Sequence, residues 1–196
     1  MIGYETDSYT GNVTRRTLEN PEDILDESQY LYDKTGQLTE EKKPYEQTRL
    51  SYLYDNSGNV LKVEKFDINS SLSLSKTEFT YDIVLPNRLL SVTKDGVTKT
   101  FTYSSALPGM PISINNGSYI QTLEWSGSKL TNYDYENGKS LSFTYDSSGL
   151  RIKKVLTDNL SLGTITHNYR YSSSKLIEEY VIDDIKGDES GQIVCE

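Results

Sequence analysis

The sequence predicts an all-β chain: an extended antiparallel sheet of successive β-hairpins, twisted and curled. Three observations carry that prediction. Residues 50–63 read as strand, tight turn, strand, with Leu50, Tyr52 and Tyr54 on one face by the period of two and Leu61 and Val63 continuing it on the way out. Between them, Asp55-Asn56-Ser57-Gly58 carries turn chemistry: an aspartate that can hold backbone amides two residues on, and a glycine free to take the left-handed conformation. Finally, the unit recurs. Tyr-Asp-x-x-Gly stands at Tyr32-Asp33-Lys34-Thr35-Gly36, at Tyr54-Asp55-Asn56-Ser57-Gly58 and at Tyr145-Asp146-Ser147-Ser148-Gly149. With weaker copies at Tyr81-Asp82, Tyr103-Ser104, Trp125-Ser126-Gly127 and Tyr171-Ser172, the turn positions are spaced by 22, 27, 22, 22, 20 and 26 residues. That period marks a repeat array with room for two strands and two turns per unit.

Taken in order, residues 1–18 predict a first hairpin turning at Gly11, with Asp7-Ser8-Tyr9-Thr10-Gly11 as a copy one residue longer. Residues 20–23 predict a loop between repeats. Gln29–Tyr32 and Gln37–Glu40 make the second hairpin, and Pro44 sits between strands, where it removes no ladder hydrogen bond. The Tyr54 hairpin follows, then strands at 76–81 and 87–93, a tight Asp95-Gly96 turn, and a strand from Thr98 to Tyr103. Pro108-Gly109-Met110-Pro111 is the least repeat-like stretch and predicts a loop. Asn116-Gly117 and Asn137-Gly138 predict two more hairpin turns. About fourteen strands are expected, nearly all joined to sequential neighbours. The domain expectation is one repeat sheet over 1–182 and an acidic C-terminal tail over 183–196.

This pattern resembles the YD repeat of the Rhs family, which includes bacterial Rhs and wall-associated polymorphic toxins, toxin-complex subunits and the animal teneurins. The best match is Ser142-Phe143-Thr144-Tyr145-Asp146-Ser147-Ser148-Gly149-Leu150-Arg151; Leu123-Glu124-Trp125-Ser126-Gly127 looks like the tryptophan-bearing unit found late in such arrays. The resemblance covers roughly residues 4–182. It implies that the sheet is a segment of the wall of a hollow β-shell, within a longer parent chain. It also implies a secreted or surface-displayed bacterial parent, and an enclosed C-terminal polypeptide as partner. The Asp-Pro-x-x-Gly segment associated in that family with self-cleavage is absent, so the resemblance implies neither protease nor toxin activity for these residues.

Composition narrows the alternatives. The chain has 196 residues, 35% hydrophobic, and 16 tyrosines that supply burial the aliphatics do not. A net charge of -9 disfavours nucleic acid and anionic membrane surfaces alike. No apolar run approaches the roughly 20 residues of a spanning helix. Cys195 is the single cysteine, so no internal disulfide is expected.

The search for chemistry predicts no catalytic residue, no metal site and no cofactor. His167, the single histidine, is expected to be a solvent-facing strand residue, and a dyad with Cys195 lacks a positioned base. One Cys and one His cannot furnish a usual zinc set. The turn aspartates lack the alternating oxygens of a calcium loop.

The expected function is therefore structural, with no enzymatic role. Asp33–Gly36, Asp55–Gly58 and Asp146–Gly149 would hold register, and Tyr32, Tyr54 and Tyr145 would pack against neighbouring repeats. Tyr81, Asp82, Trp125 and Gly127 take the same places in the weaker copies. The alternative is a binding module whose tyrosine rows grip a glycan or a cell-surface protein; cross-strand packing explains the same rows.

Overall fold

The computed structural model describes residues 2–19, 25–136, 138–160, 163–184 and 188–192. The chain divides into two units, Met1–Lys99 and Thr100–Glu196. The first carries β1 (Ile2–Thr6), β2 (Val13–Glu19), β3 (Leu25–Tyr32), β4 (Leu38–Lys43), β5 (Thr48–Tyr54), β6 (Val60–Asp67), β7 (Ser73–Tyr81) and β8 (Leu89–Lys94). β9 (Val97–Tyr103) runs across the division. The second carries β10 (Pro111–Asn115), β11 (Ile120–Ser126), β12 (Lys129–Glu136), β13 (Lys139–Tyr145), β14 (Arg151–Asp158), β15 (Gly163–Ser172), β16 (Lys175–Asp183) and β17 (Asp188–Gln192). The all-β expectation holds. There is no helix among the described residues.

Pairing is antiparallel and sequential, from β1 to β8 in the first unit and from β9 to β17 in the second. Among the described residues seventeen strands form rather than about fourteen. One of the additions is β10, which begins at Pro111, the last residue of the stretch expected as a loop. Proline suits the first residue of a strand, where no ladder donor is needed. Another is β17, inside the stretch expected as a tail. Its sequence, DESGQ, has no apolar alternation, yet its backbone pairs with β16 from Glu179↔Gln192 to Asp183↔Asp188. An open strand edge recruits backbone whatever its side chains. Residues 20–23, Asn137 and Cys195 lie outside the described residues.

One irregularity repeats with the period of the sequence. The register slips just before the aromatic residue of each hairpin: at Leu31/Tyr32, Leu53/Tyr54, Thr80/Tyr81, Glu124/Trp125, Thr144/Tyr145 and Arg170/Tyr171. Each slip is a β-bulge with one extra residue on the return strand; Thr39, Leu61 and Thr131 are three of them. Bulges sharpen local twist and re-aim the adjacent side chain. Where the extra residue is threonine, its hydroxyl spans the gap: Thr39 donates to the Leu31 carbonyl at 3.2 Å and Thr131 to that of Glu124 at 3.1 Å.

No large apolar side chain is buried among the described residues; only Ser28 and Thr48 are. The chain exposes 13033 Å², against about 9,400 Å² expected for a compact monomer of 22.2 kDa.

Candidate functional site: the repeated turn and its ring

Three hairpins are closed by the same small machine. In the three full copies the aspartate carboxylate takes the turn's free amides. Asp33 Oδ1 accepts from the backbone N of Thr35 at 2.8 Å and of Gln37 at 2.9 Å; Asp55 Oδ1 does the same for Ser57 and Asn59, both at 2.8 Å; Asp146 Oδ1 for Ser148 and Leu150, both at 2.9 Å. The glycine closes the turn by donating its N–H to the aspartate carbonyl at 3.1 Å in all three. Its φ is 84° at Gly36, 87° at Gly58 and 94° at Gly149, left-handed values that a side chain would strain. The charged form of each carboxylate is the one that accepts, so all three are held below the usual range. The largest cause is a side-chain donor in each case: Thr35, Asn59 and Ser148.

The aromatic residue before the aspartate reaches back one strand. Its polar hydrogen goes to the backbone carbonyl at or next to the start of the preceding return strand: Tyr32 to Val13 (2.9 Å), Tyr54 to Leu38 (2.8 Å), Tyr81 to Val60 (3.1 Å) and Tyr145 to Leu130 (2.8 Å). Trp125 places its indole N–H on Pro111 at 2.8 Å, and Tyr171 its hydroxyl on Arg151 at 3.0 Å. The tryptophan thus stands in the tyrosine's place with the same donor. Burial raises the Tyr32, Tyr54 and Tyr81 phenols above their ordinary range. Tyr52, beside Tyr54, is pushed up to about 12, by burial first and then by Glu41, whose carboxylate accepts its hydroxyl at 3.3 Å.

The weaker copies use other turns. Asp82 accepts from the backbone N of Val84 and Leu85 at 2.7 and 3.0 Å, and the Arg88 guanidinium closes on its other oxygen. That guanidinium, with the two amides, brings the carboxyl down to about 2. In the next hairpin Ser104 Oγ accepts from Leu107 N at 3.1 Å. The two loops share Tyr-x-x-x-Leu-Pro, at 81–86 and 103–108, and the same closing bond: Arg88 N to Leu85 O at 2.8 Å, Met110 N to Leu107 O at 3.1 Å. The stretch read as least repeat-like therefore belongs to a second turn class, and its signal was the recurring Leu-Pro pair. Gly127 (φ 60°) sits in a two-residue loop between Ser126 and Lys129, and Ser173 and Ser174 form another with φ 49° and 70°.

Adjacent turns touch. Asn59 donates its side-chain amide to the Pro86 carbonyl at 2.9 Å, and Gln37 lies against Gly58. A cleft of about 520 Å³ lies between the Asp33 and Asp55 turns, lined also by Thr35, Gln37 and Tyr54. Both carboxylates face it with oxygens already used on their own turns. Among the described residues no three His, Cys, Asp or Glu side chains gather as a metal set.

His167 differs from expectation. It is half-buried, its Nδ1 lies 2.6 Å from Glu179 Oε1, and its ring stacks on Tyr169 at 6.3 Å. Antiparallel register explains it: His167 pairs with Val181, and Glu179 stands two residues along the same face.

Bulge, back-reaching ring and, in three copies, the carboxylate turn recur together, as the resemblance to YD repeats implies. No protein-family model matches the chain. Toxin subunit YenC2 of Yersinia entomophaga is 32% identical over 132 residues, 60% of this chain and 13% of that protein. The solved structure of TcdB2-TccC3 without hypervariable C-terminal region matches 93% of the chain with a TM-score of 0.59 at 14% identity, a likeness of fold. A complex, TcdB2-TccC3-Cdc42, matches 97% with a TM-score of 0.45 at 12% identity. This chain spans only 12% and 14% of those two chains. The resemblance to the Rhs/YD-repeat family read from the sequence holds.

Proposed function

We propose that this chain is a structural segment of a toxin-like, secreted bacterial protein, forming part of a β-shell wall that encloses a C-terminal polypeptide of its own longer parent. One observation carries the reading: among the described residues no large apolar side chain is buried, and the chain exposes roughly two-fifths more surface than a compact monomer of its mass. Such a sheet gains its cover and its edge partners from further repeats. The 32% identity to a toxin subunit, over a small part of that protein, supports the same context. The residues of this segment do mechanical work in this reading and no chemistry. Carboxylate turns fix register at the ends of the hairpins that carry them, and rings tie hairpins to the strand before.

Limited proteolysis of the full-length parent tests it. The C-terminal polypeptide is expected to survive protease in the native protein and to be cut at once after denaturation. Equal cutting in both states overturns the proposal.

A further inference from the structure

The hairpin of β8 and β9 carries two unpaired ammonium groups among valines, and we propose that it binds a small amphiphilic carboxylate, a carboxyl group on an apolar body. Such a site is independent of the shell reading above. A cleft of about 470 Å³ lies over the hairpin, lined by Thr77, Val92, Lys94, Asp95, Val97 and Lys99. All six residues belong to the first unit.

Hairpin geometry sets the pattern. Asp95 and Gly96 form a two-residue link with φ of 49° and 84°, so Lys94 stands opposite Val97 and Val92 opposite Lys99. The hydroxyls of Thr93 and Thr98, the pair between them, meet at 2.8 Å. By the strand period those threonines belong to the other face. On the cleft side the four remaining side chains make a checkerboard, two lysines on one diagonal and two valines on the other. Diagonal neighbours lie about 7–8 Å apart, close enough for two long side chains to share one anion. Thr77, opposite Lys94, and Phe79, opposite Val92, extend the patch onto β7.

Charge and shape together name the ligand class. Nine of the first unit's twelve lysines and arginines form ion pairs among the described residues. The exceptions are Lys34, in the Asp33 turn, and the two exposed lysines of the cleft. Asp95, the one carboxylate in the lining, is engaged on β7. Its Oδ1 accepts from the backbone N of Lys76 at 2.7 Å and its Oδ2 from the Ser75 hydroxyl at 3.0 Å. Like charges on neighbouring positions repel, and an anion seated between them removes that cost. A carboxylate offers one oxygen to each ammonium. The valines favour an apolar body over a bare anion: Val97 is 61% exposed and gains cover when one binds. The volume lies within the range of small-molecule clefts, about 300–1,000 Å³. Nucleic acid suits the hairpin poorly, because its phosphates would meet a chain of net charge -9.

Octanoate is the probe, and hydrogen exchange of the full-length parent, resolved by peptide, is the readout. Below its micellar range octanoate is expected to slow exchange over residues 89–99 several-fold and saturably. Octan-1-ol has the tail without the charge and acetate the charge without the tail; neither is expected to slow it. Lys94→Met combined with Lys99→Met is expected to raise the half-saturating octanoate concentration by about tenfold or more, the worth of a lost charged hydrogen bond. Lys99→Arg, which keeps the charge, is expected to leave it within a few-fold. No slowing by octanoate overturns the site. Slowing that persists undiminished in the double variant, or that octan-1-ol reproduces, overturns the role of the lysines and the proposal with it. Equal slowing by acetate overturns the amphiphilic class of ligand.

Discussion

The two units are built on one frame and finished differently. Both have the bulge, the carboxylate turn and the ring on the preceding strand: Tyr54 and Asp55 in the first are matched by Tyr145 and Asp146 in the second, with ring-to-carbonyl bonds of 2.8 Å in each. Between these fixed points the units diverge. Eleven of the fourteen ion pairs among the described residues lie in Met1–Lys99. The second unit uses hydroxyls where the first uses charges: Thr122 donates to Asp134 at 3.2 Å and Thr164 to Asp184 at 2.6 Å. It lays cations on rings, Arg151 between Phe143 and Tyr169 and Lys129 over Tyr145, as the first unit does with Arg49 over Phe66. The period of a repeat sheet is thus set by a few residues at hairpin ends, and the strand bodies are free to adopt whatever polar chemistry their surroundings favour.

If the frame is common, removing the same part should cost the same in both units. Tyr54→Ala and Tyr145→Ala are each expected to destabilise their own unit by about 2 kcal/mol, from a half-buried ring and its hydrogen bond together. Tyr54→Phe and Tyr145→Phe should cost about 1 kcal/mol, the bond alone. Hydrogen exchange resolved by peptide reads each unit separately. Unequal losses at the paired positions would break the comparison, because the turns would then not be equivalent.

A smaller effect of opposite sign separates good turns from poor ones. Asp95-Gly96 and Ser173-Ser174 are both two-residue links with positive φ at each residue. Glycine takes that region freely, whereas an L side chain costs roughly 1–2 kcal/mol there. Ser174→Gly is therefore expected to stabilise the second unit by about 1 kcal/mol, seen as a higher melting temperature. No gain would mean that tertiary contacts already over-determine the loop.

The parts of this molecule legible in sequence were those with short-range causes. The Tyr-Asp-x-x-Gly turns follow from the reach of one carboxylate and the freedom of one glycine, and both act within five residues. The alternation at Leu50, Tyr52 and Tyr54 follows from the strand period. The bulges were not legible, because a register slip belongs to two strands at once: Leu61 reads as the next member of the apolar row and is in fact the extra residue. The acceptors of the ring hydrogens are backbone carbonyls 14 to 21 residues away and carry no sequence mark. His167 read as exposed because Glu179 reaches it only through the β15–β16 register. β17 pairs its backbone with β16, which composition does not report.

Acid separates the two Leu-Pro loops. Asp82 falls from 3.8 to about 2 in the folded chain, chiefly through Arg88. A carboxyl depressed by folding lends stability that is present above its unfolded pKa and is lost as pH falls through the folded one. The loop over residues 82–88 is therefore expected to loosen between about pH 4 and pH 2, and Asp82→Ser to remove that dependence. The loop at Ser104 has no proton to gain and should hold across the same range. Amide chemical shifts of Leu85 and Leu107 follow the two loops in one titration; parallel movement would show that Asp82 is not the cause.

Salt gives the smallest effect and the most direct view of the difference between the units. The pairs of the first unit are partly exposed, among them Arg15–Glu5, Lys76–Glu78 and Lys65–Glu46, and exposed pairs gain little over solvated charges. The Debye length falls from about 10 Å at 0.1 M salt to about 3 Å at 1 M. Sodium chloride should therefore speed exchange in β2 to β7 by a few-fold while β11 to β14 change less, since hydroxyl bonds and ring-stacked cations depend less on unscreened charge. The side-chain pairs of one hairpin reach their partners on the next strand, so the loss should spread along the ladder and not stay at single residues. Equal acceleration in both units would mean that the charge lattice of the first is solvated decoration, and that bulge, turn and ring alone hold both halves.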